Sequence, residues 1–147
     1  MKNILLISYL LILNVYSSDA ISNSKLDNFI GIECSTHGPF LIDSKNKIAI
    51  DLYSETQLYE LEYINHENHI ELYLDFKKYA PSGVKSVMRY KIHKDSLTLY
   101  VSSTGPSGGE FYGESKFSCQ ENTAKVIKEA KLRYEKIMEK KSKRLIE

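Results

Sequence analysis

The sequence predicts a mainly β fold: a small antiparallel meander barrel or strongly curled sheet of about eight strands, followed by a C-terminal α-helix. Three observations carry this reading. Apolar residues alternate with polar ones through most of the stretch between Cys34 and Cys119. Short polar or Gly/Pro-containing breaks separate the alternating runs closely enough for antiparallel neighbours to follow one another. Beyond Glu121 the apolar period changes from two to that of a helix.

In chain order, residues 1–20 read as a secretory signal peptide. Lys2 supplies the positive start, and the run from Ile4 to Leu13 is uncharged and too short to span a bilayer. Ser18-Asp19-Ala20 offers the small residues a signal peptidase reads, with Val15-Tyr16-Ser17 as the alternative cleavage point. An exported chain whose two cysteines are Cys34 and Cys119 is expected to join them in one disulfide, in the periplasm or outside the cell.

Residues 21–120 form the expected β-domain. Strands are read at 32–35, 40–43, 47–53 and 58–64, followed by a polar turn at 65–68. Ile70, Leu72, Leu74 and Phe76 then alternate with Glu71, Tyr73, Asp75 and Lys77, as in a strand with one wet face. Met88, Tyr90 and Ile92 repeat the pattern, as do Leu97, Leu99 and Val101 after a Lys94-Asp95 turn, and the last strand covers 110–119. Closing such a sheet removes its edges, and a Cys34–Cys119 bond would staple the seam. Residues 121–147 are expected to form a basic amphipathic helix capped by Asn122 or Thr123. Its stripe is Val126, Ile127, Ala130, Tyr134, Ile137, Met138 and Leu145. This segment carries nine Lys and Arg against five Asp and Glu, whereas residues 21–120 carry ten against thirteen.

The near-neutral total, 20 basic against 19 acidic residues, argues against a general nucleic-acid binder. Catalytic signatures are weak. Gly105-Pro106-Ser107-Gly108-Gly109 matches the nucleophile-elbow spacing, but a strand follows it instead of a helix, so it reads as a turn. His66 and His69, with Glu67 and Glu71 beside them, have a ligand-like spacing, yet three residues along an extended strand would put the rings on opposite faces. No metal or cofactor is therefore expected; His37 and His93 stand isolated in sequence, and acidic residues such as Glu60 and Glu62 read as a wet face. The expectation is a protein that is not an enzyme.

Tyrosine is the unusual component, with 11 residues. Tyr59, Tyr63 and Tyr90 belong to the apolar faces, whereas Tyr73, Arg89, Tyr100 and Tyr112 are expected outward in one contiguous patch. Tyr and Arg on a rigid sheet suit protein binding. The helix stripe is expected to bury itself on a sheet face, with this patch as its favoured cover.

The segments Ile32-Glu33-Cys34, Phe40-Leu41-Ile42-Asp43, Tyr90-Lys91-Ile92-His93-Lys94-Asp95-Ser96-Leu97-Thr98-Leu99 and Phe117-Ser118-Cys119-Gln120 resemble those of small exported one-disulfide β-domain proteins of Gram-negative bacteria. That resemblance implies a periplasmic fold without an assigned activity. Ser82-Gly83-Val84-Lys85 is also similar to the Ser-Gly-x-basic loop of periplasmic inhibitors of c-type lysozyme, which implies an inhibitory role for Ser82, Gly83 and Lys85. The tryptophan-containing strand and lysine-glycine loop of those inhibitors have no counterpart here. The resulting expectation is an exported binding or accessory protein, with an envelope protein or a lysozyme-like enzyme as partner. The alternatives are an inhibitor of a cell-wall hydrolase or protease, using loop 80–85, and a small-ligand carrier. Membrane contact is expected only through the signal peptide before cleavage and peripherally through the basic tail.

Overall fold

Each strand pairs with the next in the chain and the last returns to the first, so the sheet closes into an eight-stranded antiparallel barrel. The structure is a computed structural model that describes residues 26, 28–79 and 83–146. The expected signal segment and Ser82 lie outside the described residues. The strands are β1 (Ile30–Cys34), β2 (Gly38–Asp43), β3 (Ile48–Asp51), β4 (Tyr59–Asn65), β5 (His69–Asp75), β6 (Val87–His93), β7 (Thr98–Gly105) and β8 (Gly108–Glu121). Helix α1 (Thr123–Ile146) follows. It is not long and apolar enough to cross a membrane.

Cys34 and Cys119 stand opposite each other in the β1–β8 pairing and are disulfide-bonded across 85 positions of sequence. Loop-closure entropy assigns such a link roughly 4–5 kcal/mol through the unfolded state. The bond is compatible with an oxidising compartment.

Alternation divides the apolar residues between two cores. Inside the barrel, Phe40, Ile42, Leu72, Tyr90, Ile92 and Leu99 are 0–2% exposed. These side chains pack against one another, as an eight-stranded barrel of this size allows. The second core lies outside the barrel, where Leu41, Ile50 and Leu52 meet Leu26, Phe29, Val126 and Ala130. Strands β2 and β3 are thus buried on both faces, in through Phe40, Ile42 and Ala49 and out through Leu41 and Ile50.

The helix docks on this outer core and not on the expected tyrosine patch. Gly31 is the reason it can approach β1, because a Cβ there would lie 2.5 Å from the Val126 Cβ. Both backbone groups of Gly31 also serve the junction: its N–H donates to Thr123 Oγ1 at 3.1 Å, and its carbonyl accepts from Asn122 N at 2.9 Å. Asn122 Nδ2 donates to Glu33, which also pairs with Lys125. The two expected capping residues therefore tie the helix start to β1. Burial of the stripe covers Val126, Ile127, Ala130 and Tyr134, while Met138 and Leu145 are exposed.

Local turn chemistry shortens three expected strands. Phe76 leaves β5 for a 3-10 turn (Phe76–Lys78) because the Asp75 carboxylate captures the Lys77 N–H at 3.0 Å. Leu97 takes φ 48° and belongs to the β6–β7 turn, so β7 begins at Thr98. Lys47, at φ 55°, precedes β3 in a turn organised by Asp43, whose Oδ1 accepts from Lys45 N and Asn46 N. The last strand is longer than expected at both ends.

Candidate functional site

The outer face of β5–β8 is where the expected binding residues gather. Tyr73 on β5 and Arg89 on β6 are cross-strand partners, which sets their side chains side by side on one face. Arg89 lies over the Phe111 ring at 4.5 Å, and its Nε donates to Ser102 Oγ at 3.2 Å. Tyr73 meets Phe111 edge-on at 6.1 Å and donates its hydroxyl to Glu71 Oε2 at 2.7 Å. Burial, then the adjacent Glu71 carboxylate, raises the Tyr73 hydroxyl above its usual range, while that same hydrogen bond is the largest cause lowering Glu71. A cation held over an aromatic ring and fixed by a hydroxyl is a preorganised contact point.

Tyr100 continues this face. It pairs with Lys91 on β6 and Lys116 on β8, packs edge-on against His93 at 5.3 Å, and has Lys116 Nζ 5.8 Å from its ring centroid. Tyr112 does not join the patch as expected. Register shifts between Val101 and Gly105, with Gly113 at φ 64°, put Phe111 beside Tyr73 and Arg89. Tyr112 instead lies toward the β7–β8 turn, 62% exposed, where a Cβ on Gly105 would meet its hydroxyl at 3.7 Å. Gly83 is exposed at φ 105°, and the Lys85 N–H donates to Pro106 O at 2.9 Å, joining the β5–β6 loop to that same turn. Gly105 to Gly108 forms the tight end of a hairpin, consistent with a turn and not a nucleophile elbow.

The histidines are less dispersed than their sequence positions imply. His66 is not part of an extended run with His69: a turn closed by His66 N donating to His69 O at 2.9 Å stacks the two rings at 4.4 Å. Both rings face Glu71. His93, the cross-strand partner of His69, lies 5.8 Å from it, centroid to centroid.

A third group occupies the barrel end beside the helix. His37 stacks on Phe40 and Tyr53, each at 5.4 Å, and meets Tyr90 edge-on at 5.3 Å. Among the described residues its buried Nε2 has no hydrogen-bond partner. Asp51 accepts from Tyr53 N at 2.7 Å and from the Tyr90 hydroxyl at 2.9 Å. Burial raises the Asp51 carboxyl and lowers the His37 imidazole, each opposed by the attraction between them. Tyr90 is raised, chiefly by burial and then by Asp51. A cleft of about 400 Å³ opens here, lined by His37, Tyr53, Glu33, Glu129 and Arg133 among others. Arg133 reaches from the helix to the carbonyls of Leu52 and Ser54, so this polar group also helps seat α1.

The fold and these surfaces define a one-disulfide, eight-stranded barrel with a docked C-terminal helix. No family model matches the chain, and comparison with curated proteins and with solved structures finds no match.

Proposed function

We propose that the chain is an exported, non-enzymatic binding protein that docks a protein partner of the cell envelope on the outer face of β5–β8. The single observation that carries this reading is Arg89 held between Tyr73 and Phe111 on a barrel face that the helix leaves open. Aromatic and arginine side chains on a rigid sheet lose little conformational freedom on binding, which is why they dominate the energetics of protein interfaces. The filled barrel interior supports an outer binding surface over an internal ligand site. Affinity capture from an envelope extract tests the proposal with three full-length, disulfide-bonded proteins: wild type, Arg89→Ala with Tyr100→Ala, and Lys143→Ala as a control on the exposed helix end. A partner retained by wild type and control but lost from the double variant supports the assignment. Equal retention by all three overturns it.

A second reading, inhibition of a lysozyme, is favoured by one observation. The β5–β6 loop is pinned through Lys85 to the β7–β8 turn and presents Gly83 to solvent. Ser82→Ala with Lys85→Ala should then weaken inhibition without lowering Tm. Absence of inhibition by wild type across c-, g- and i-type lysozymes removes this reading.

A further inference from the structure

We propose that His66, His69 and Glu71 form a binding site for a divalent transition metal, Zn²⁺ as the reference case, on the outer barrel surface at the β4–β5 turn. The two imidazole nitrogens and the carboxylate offer ligand atoms that all lie within 4.8 Å of one another. His66 Nε2 is 3.4 Å from Glu71 Oε2, and His69 Nε2 is 3.4 Å from Glu71 Oε1. Those separations are longer than a well-made N–H···O hydrogen bond, which falls at about 2.7–3.2 Å. Each is close to the edge of a tetrahedron of ligands about 2.0–2.1 Å from a central Zn²⁺, roughly 3.3–3.4 Å, with one imidazole facing each oxygen of the carboxylate. The three side chains thus converge on one spot of the surface, close enough for a metal ion to draw them onto itself.

The surroundings hold this geometry in place. Glu71 is oriented by the Tyr73 hydroxyl at 2.7 Å, the kind of supporting contact that fixes a metal-binding carboxylate. The turn carrying His66 is fastened from the neighbouring hairpin, where Lys94 Nζ donates to His66 O and Lys94 N donates to Asn68 O. Two imidazoles with one carboxylate select a zinc- or copper-like ion over Ca²⁺ or Mg²⁺, which prefer oxygen ligands alone. Three protein ligands leave a fourth position for water or a further donor, so the site suits reversible metal binding better than a closed structural role. His66 is 42% exposed at its side chain, which gives the ion a route in.

Calorimetric titration of ZnCl₂ into the EDTA-treated, disulfide-bonded full-length protein tests the proposal, with CaCl₂ as the comparison ion. The expected result is one Zn²⁺ per chain and no Ca²⁺ binding at the same concentrations. His66→Ala, His69→Ala and Glu71→Gln should each weaken Zn²⁺ binding at least tenfold, and Tyr73→Phe by roughly tenfold. Unchanged Tm in EDTA for each variant shows that folding is intact, and X-ray absorption of the loaded wild type should show imidazole scattering. A His66→Ala, His69→Ala double variant that binds Zn²⁺ as tightly as wild type overturns the assignment, as does a wild type that binds none.

Discussion

The two halves of the barrel solve opposite problems. Strands β2 and β3 carry apolar side chains on both faces and need a cover, which α1 provides through Val126 and Ala130. Strands β5–β7 alternate cleanly, with Leu72, Tyr90 and Leu99 inside and Tyr73, Arg89 and Tyr100 outside. A strand that reads as a continuous apolar run is asking for a second layer, whereas one that alternates can stand with one face in water. The difference explains why the helix docks where it does. Leaving Leu41, Ile50 and Leu52 in water would cost far more than leaving the amphipathic Tyr73 and Tyr100 there.

Four experiments probe this contrast between the covered and the open half. The largest expected effect is on the seam shared by both halves: Cys34→Ser with Cys119→Ser should lower stability by roughly 4–5 kcal/mol in denaturant unfolding. Next, Leu41→Ala on the covered half should cost about 2–5 kcal/mol. Tyr100→Ala on the open half should cost only about 0.2–1 kcal/mol. Comparable losses at the two positions would dissolve the distinction. Third, Gly31→Ala should destabilise by about 1–3 kcal/mol, because its methyl group has to displace Val126. A neutral result would show that the helix does not rest on β1.

The smallest effect is a pH dependence at the cleft between barrel and helix. Burial depresses the folded-state pKa of His37 below its ordinary 6.5, so the unfolded chain takes up this proton first. Its contribution to stability is therefore present above pH 6.5 and is lost as the pH falls through the lowered value. Asp51 has the opposite sign: its raised carboxyl favours the folded state in acid and loses that contribution as pH rises through its raised value. His37→Phe keeps the aromatic stack and removes the unpartnered Nε2, so it should raise Tm at neutral pH by an amount equivalent to about 1 kcal/mol. It should also flatten the fall in Tm below pH 6.5. An unchanged pH profile would assign that fall to other groups.

The barrel, its seam and the existence of the helix were legible because period and turn chemistry are local signals. The destination of the helix was also written locally, in Phe40-Leu41-Ile42 and Ile48-Ala49-Ile50, which lack a wet face. Phe111 could not be placed in the patch because a bulge shifts register without altering the apolar pattern. The His66–His69–Glu71 convergence depends on a turn that breaks the extended geometry assumed from spacing. The Asp51–Tyr90 contact joins residues 39 apart, and nothing in either neighbourhood announces the other.

Methyl and aromatic nuclear Overhauser contacts in the full-length protein report which barrel face the helix covers. The Val126 methyls are expected to show contacts to Gly31 and to the methyls of Leu41, with the Tyr73 and Tyr100 rings free of contacts to the helix. Contacts from Val126 or Ala130 to those tyrosine rings, with none to Leu41, would contradict it.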